Sequence, residues 1–288
     1  MPLSPDIRGF FDPQTHTITY LVSDPVTGQA AIIDPVLDYD PAAASTSTRS
    51  VDAVMAALHD AGLTLALVLE THAHADHLTA ACHLREAEGA LIGIGERITE
   101  VQSRFAPLFQ AADVKPDGRV FDHLYADGDV FSLGAQTVEV MHTPGHTPAC
   151  VSYRIGDAVF TGDTLFMPDY GTARTDFPGG DARTLYRSIQ KLLALPDQTR
   201  VLVGHDYLPA GRDDYRFETT IAEQRARNVH VGGGVTEDAF VAMRQARDAT
   251  LGAPQLILPS LQVNIRAGAM PPPAEDGRRY LKLPLNTI

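Results

Sequence analysis

The sequence predicts an α+β fold: a four-layer αββα sandwich, with two β-sheets face to face and helices on their outer sides. Three observations predict it. Almost wholly apolar runs such as "LALVLE" read as strands buried on both faces. A strand–turn–helix plan occurs early and again late in the chain. Between Phe121 and Thr161 the pattern instead becomes short strands with hairpin signals, which a doubly wound parallel sheet would not contain.

Taken in order, "HTITYLV" (His16 to Val22) and "AAIID" (Ala30 to Asp34) are two strands with the turn "SDPVTG" between them. Ser50 caps a helix, "VDAVMAALHDAG", which Gly62 stops. The strand Leu65 to Glu70 follows and ends in a ligand-rich loop. His77 to Glu88 form a helix closed by Gly89. "ALIGIG" is a strand, and a helix runs between Glu96 and Gln110. Asp127-Gly128 and Gly156-Asp157 mark hairpin turns. Asp181 caps the helix "ARTLYRSIQKLLAL", which Pro196 ends, and "RVLVGHD" is a last buried strand. A helical tract, "VGGGV" and a Pro-rich tail follow, with "AMPPPAEDG" as an exposed loop. Residues 1–288 are expected to form a single domain, with 215–288 as a helical and loop extension packed on it.

Composition narrows the function. The 23 basic residues against 36 acidic ones give a net charge of −13. That balance argues against a nucleic-acid partner or an anionic membrane surface. No apolar run reaches the roughly 18 residues that span a bilayer, and the N-terminus carries no basic segment followed by an apolar one. Cys82 and Cys150 are too few for a disulfide scaffold, so a cytoplasmic location is the simpler reading.

Polar ligand-type residues follow four apolar strands. They are His72, His74, Asp76 and His77 in "THAHADH", His146 in "HTPGH", Asp163 in "FTGD" and His205 in "GHD". Rigid strand tips can hold ligands at the fixed distances a metal requires. Gly145, Gly162 and Gly204 directly precede three of them and permit close backbone approach. Histidines crowded into "THAHADH" would repel one another when protonated, and metal ligation accounts for them. By contrast, His16, His59, His83, His123 and His230 read as ordinary surface or core residues. His142 is either a brace near the site or a plain strand residue. Cys150 reads as a buried small hydrophobe.

The motif order "THAHADH", "HTPGH", "FTGD", "GHD" resembles the metallo-β-lactamase superfamily. In its dinuclear members the matching positions would form two metal sites: His72, His74 and His146; then Asp76, His77 and His205, with Asp163 bridging. "GTARTDFPGGDARTLYRSIQKLLALP", "GHDY" and "NIRAG" look like the persulfide dioxygenase branch. That branch contains the protein lost in ethylmalonic encephalopathy and the bacterial β-lactamase hydrolase-like proteins, and the tail "RRYLKLPLNTI" is closer to the bacterial type.

The resemblance implies one Fe(II) on His72, His146 and Asp163, a set that leaves positions open for substrate and O2. Glutathione persulfide, O2 and water would give sulfite and glutathione. His74, Asp76, His77 and His205 would surround the iron. Asp76 and Tyr207 would be catalytic, and Arg174 and Tyr207 would contact substrate, with Asn264 and Arg266 bracing the site. Arg174 could instead pair with Asp176 or Asp181, and Tyr207 could be a packed aromatic. The rival is a hydrolase of the glyoxalase II type, in which two Zn2+ would deprotonate a bridging water for attack on the carbonyl of a glutathione thiolester. A sensing module would need Cys82 and Cys150 exposed. Dimers occur in the resembling family, so a homodimer is an expectation from it.

Overall fold

The computed structural model describes residues 4–287. Three antiparallel strands open the chain: β1 (Asp6–Phe11), β2 (Ile18–Ser23) and β3 (Gln29–Ile33). A small outlying sheet then forms from β4 (Val36–Asp40) and β5 (Ser45–Ser47), ahead of α1 (Arg49–Asp60). β6 (Thr64–Glu70) returns parallel to β3. After it come β7 (Leu78–Thr79), which joins the small sheet, α2 (Ala81–Glu88), β8 (Leu91–Gly95), α3 (Ile98–Leu108) and β9 (His123–Tyr125). The first large sheet has the order β1-β2-β3-β6-β8-β9. Its parallel half needs crossovers, and α1, α2 and α3 supply them.

The second large sheet is built from β10 (Val130–Leu133), β11 (Gln136–His142), β12 (Val151–Ile155), β13 (Ala158–Phe160), β14 (Arg200–Leu202) and β15 (Glu218–Thr220), in that order. It is antiparallel except where β13 lies beside β14, a crossover carried by α4 (Ala182–Leu193). α5 (Ile221–Arg227), α6 (Glu237–Asp248) and α7 (Ile257–Asn264) follow. Among the described residues no helix is long and apolar enough to cross a membrane.

Side chains alternate across each strand, so both faces of both sheets are buried. Ile18, Tyr20, Ile33 and Leu69 of the first sheet meet Val140, Tyr153, Phe160 and Leu202 of the second. Ile32 and Val68 turn outward to α1, α2, α3 and α7, whereas Val159 and Val201 turn to α4, α5 and α6. Helix, sheet, sheet, helix is therefore the layer order. Two buried tyrosines satisfy their hydroxyls across the seam: Tyr20 donates to the Val203 carbonyl (2.7 Å) and Tyr153 to the Glu70 carbonyl (2.9 Å).

Several elements differ from expectation. β1 is an edge strand carrying Arg8 and Gly9, so it lacks the apolar run that marks the other strands. Ser50 is not the cap of α1; Thr48 occupies that position, and the Ser50 N–H and hydroxyl instead donate to Asp38 on β4 (2.9 and 2.8 Å). His77 does not start α2, because Leu78 and Thr79 pair with β4 first. Asp127-Gly128 links β9 to β10, which lie in different sheets, so it is a crossing between layers rather than a hairpin. The hairpin at Gly156, the stop at Gly89 (φ 73°) and the Asp181 cap, which accepts from the Thr184 N–H, are as expected. α7 lies in the tail and was not anticipated.

Candidate metal centre

Strand register brings the ligand-bearing tips together. Ile33 stands opposite Leu69, so Asp34, just past β3, meets the start of the "THAHADH" loop. Phe160 stands opposite Leu202, so "TGD" and "VGH" leave the second sheet side by side, bonded from the Gly204 N–H to the Gly162 carbonyl (3.2 Å). A Cβ on Gly204 would come within 3.0 Å of the Asp163 carboxylate. Gly145 is held at φ 135° against the first turn of α4, where a Cβ would lie 2.3 Å from Leu185 backbone. Only glycine fits such a place. Asn264 of α7 clamps the first loop: its amide donates to the His74 and His77 carbonyls (2.8 and 2.9 Å), and its oxygen accepts from the Thr79 N–H (2.9 Å).

Hydrogen bonds then decide which imidazole nitrogen is free. Thr71 donates its hydroxyl proton to Asp34 (2.8 Å), so the contact with His72 Nδ1 (3.0 Å) requires a proton on that nitrogen. His146 Nδ1 donates to the Arg174 carbonyl (2.8 Å). Both rings are thereby oriented with Nδ1 held and Nε2 turned to the cluster, and the neutral form with its proton on Nδ1 is the one that binds a metal. His72 Nε2, both ring nitrogens of His74, His77 Nε2, His205 Nδ1 and Asp163 Oδ1 are buried and have no well-aligned hydrogen-bond partner. An orphaned buried polar atom costs about 1–3 kcal/mol, and a cation among them would remove that cost. The residues therefore fit a metal.

Ligand atoms fall into three groups, each within 4.8 Å, the last two sharing His74: His72, His146 and Asp163; His74, Asp76 and His77; and Asp34, Glu70 and His74. His146 Nε2 is 3.7 Å from Asp163, and His205 Nε2 bridges Asp163 (3.3 Å) and Asp76 (3.4 Å). His74 is different in kind, with its Nε2 3.0 Å from Asp34 and 3.4 Å from Glu70. Burial, with the neighbouring His74 and His146, holds His72 well below the ordinary histidine range. For His74 burial acts the same way, but Asp34 and Glu70 outweigh it and raise the ring well above that range. Asp76, despite its burial, is kept well below the carboxylate range by His205 and His77.

The centre floors a cleft of about 580 Å3, walled by Val36, Leu37, Phe166, Tyr170, Leu251 and Leu256 among others, a size suited to a small ligand. Tyr207 lines it, its ring stacked on His205 (5.3 Å between centroids). Burial and the nearby Asp163 and Asp76 push its hydroxyl well above the usual tyrosine range. Arg174 lines the cleft too, but its guanidinium is paired two-fold with Asp176 (2.5 and 2.6 Å) and donates to the Gly252 carbonyl (2.8 Å).

Other sequence candidates lie apart. Arg266 pairs with Asp113 (2.7 and 2.8 Å), so it braces α7 against the segment after α3 and not the ligands. His142 holds the Pro148 carbonyl (3.0 Å) at the foot of the His146 loop. Cys150 is buried, its thiol pushed up to about 12 by that burial, while Cys82 is partly exposed. His16, expected to be ordinary, lines the cleft 5.5 Å from Tyr207. Asp34, Glu70 and Thr71 were missed. Asp34 carries the same signal as the others, a carboxylate after the apolar run "AAII".

A family model described as the metallo-beta-lactamase superfamily matches residues 13–205, which hold all seven clustered His and Asp positions. The chain belongs to that superfamily. A protein of Burkholderia pseudomallei (strain 1710b) named probable metallo-hydrolase is 53% identical, over 98% of this chain and 99% of its own. The mitochondrial persulfide dioxygenase ETHE1 of Bos taurus is 31% identical, over 93% of this chain and 91% of its own. Among solved structures, ETHE1 from Myxococcus xanthus aligns with a TM-score of 0.74 and 34% identity, covering 92% of this chain and all of that one. The layers described above are those of the metallo-beta-lactamase fold, and the His/Asp cluster is where this superfamily binds metal.

Proposed function

We propose that the protein is a persulfide dioxygenase with one Fe(II) on His72, His146 and Asp163. The carrying observation is the split within the cluster. His72 and His146 each have Nδ1 held, which aims Nε2 beside the Asp163 carboxylate, whereas His74 turns its Nε2 toward the Asp34 and Glu70 carboxylates (3.0 and 3.4 Å). Likeness to the ETHE1 proteins supports the same reading. Bound there, Fe(II) supplies the dioxygen and sulfur oxidation chemistry that side chains lack. The overall reaction balances as RSSH + O2 + H2O giving RSH + SO3(2−) + 2H+, with glutathione persulfide as the thiol-derived substrate.

The side chains divide the remaining work. Tyr207 stays a neutral phenol and donates a hydrogen bond into the cleft. Asp76 stays ionised and is one-quarter exposed, so it can accept a hydrogen bond from water at the cleft floor and orient it. The apolar wall of Phe166, Tyr170 and Leu251 limits bulk water around the reacting sulfur.

A dizinc thiolester hydrolase is the second reading. It is favoured by the orphaned Nδ1 of His74 and Nε2 of His77, and by the relative named a metallo-hydrolase. Elemental analysis and oxygen uptake separate the two. One iron per chain and one O2 consumed per glutathione persulfide are expected. Two tightly held zinc ions, with no oxygen uptake after anaerobic iron loading, would establish the hydrolase instead.

A further inference from the structure

Three arginines line the cleft: Arg174, Arg244 and Arg247. Two already have carboxylates. Arg174 is closed onto Asp176 and the Gly252 carbonyl. Arg244 is buried and donates to Asp248 (3.0 and 2.7 Å) and the Thr172 carbonyl (3.2 Å). Arg247, in the last turn of α6, is exposed, and among the described residues its guanidinium has no carboxylate or carbonyl partner. It lies over the Tyr170 ring, 5.7 Å from the centroid. Tyr170 packs on Tyr207 (4.9 Å), and Tyr207 on His205. A line of aromatic contacts thus runs from an uncommitted cation to the metal centre.

We infer that Arg247 is the specificity residue of the cleft, gripping a carboxylate of the substrate. The substrate class is therefore thiol-derived compounds that bear a carboxylate, in preference to neutral ones. Contact with the Tyr170 face restrains the guanidinium while leaving its N–H edge free for a two-point grip. On a chain of net charge −13, an unpaired cation at the mouth also offsets repulsion of an acidic ligand. The inference rests on the dioxygenase reading for its sulfur chemistry, but the carboxylate grip can be measured without turnover.

The first measurement is calorimetric titration of the purified, metal-containing protein with S-methylglutathione, whose sulfur is blocked and whose carboxylates remain. Arg247→Gln is expected to weaken binding about tenfold to hundredfold, the range for a charge-assisted pair, and Arg247→Lys to recover part of it. The second is the ratio of kcat/KM for glutathione persulfide to that for the neutral 2-hydroxyethyl persulfide, which should fall by a similar factor in Arg247→Gln. Equal affinity in wild type and Arg247→Gln, or equal losses for both persulfides, overturns the inference. If wild type consumes oxygen with neither persulfide, the dioxygenase reading fails while the titration still decides the role of Arg247.

Discussion

The cluster works because the imidazoles of His72 and His146 each have a second partner. For His72 that partner is Thr71, itself oriented by Asp34 through both its N–H and its hydroxyl. Thr71→Val keeps the shape but removes the hydroxyl, so the ring can adopt the wrong tautomer. Metal affinity should fall about 10- to 100-fold, checked by competition with a chromophoric chelator; unchanged affinity would show that Thr71 does not orient the ring. The seven His and Asp positions were readable in the sequence because their residue types and their place after apolar strands both point to a metal. Thr71 was not, since a threonine that orients a ring looks like any strand-end threonine. Arg247 was hidden for a related reason. An arginine on a helix surface has no sequence mark, and only the partners of Arg174 and Arg244 reveal that it alone is free.

Among elements, the contrast between α4 and α7 shows what sequence patterning can reveal. α4 has a capping Asp181 and a one-sided apolar stripe of Leu185, Ile189 and Leu192, so periodicity finds it. α7 has neither. It is eight residues long, buried nearly all round, and carries Pro259 in its first turn, so "ILPSLQVN" gives no helical period. Yet α7 positions the site through Asn264. Asn264→Ala would leave the His74 and His77 carbonyls and the Thr79 N–H without their partner. A loss of roughly 3 kcal/mol is expected, together with weaker metal retention, read by urea unfolding and by metal content after dialysis. Full stability with full metal content would refute the clamp.

For the whole molecule, pH is the informative variable. His230 is buried beneath Gly171 and accepts the Thr172 N–H on Nδ1 (3.0 Å). Burial, then Arg244 and Arg247, lowers it to about 4 from an ordinary 6.5. Its folded value lies below its unfolded one, so nothing is lost above pH 6.5. Below that, the unfolded chain takes up a proton that the fold refuses, and stability drops until about pH 4. The loss amounts to about 2–3 kcal/mol. Urea unfolding between pH 7 and 4 should therefore fall more steeply for wild type than for His230→Gln; parallel curves would remove His230 from the account. The layer order was legible from doubly buried strands, whereas the partition of β9 and β10 between sheets was not. Asp127-Gly128 has the residues of a hairpin, and only tertiary packing sends its flanks to different layers.

The crossed tyrosines have one more consequence. Tyr20 is rooted in the first sheet and fastens the chain just ahead of His205; Tyr153 is rooted in the second and fastens the chain just ahead of His72. The cation site is thus stitched into the seam from both sides. Sliding the two halves apart would dismantle it at once, so the earliest loosening of the sandwich should be visible as metal escape, before any helix melts.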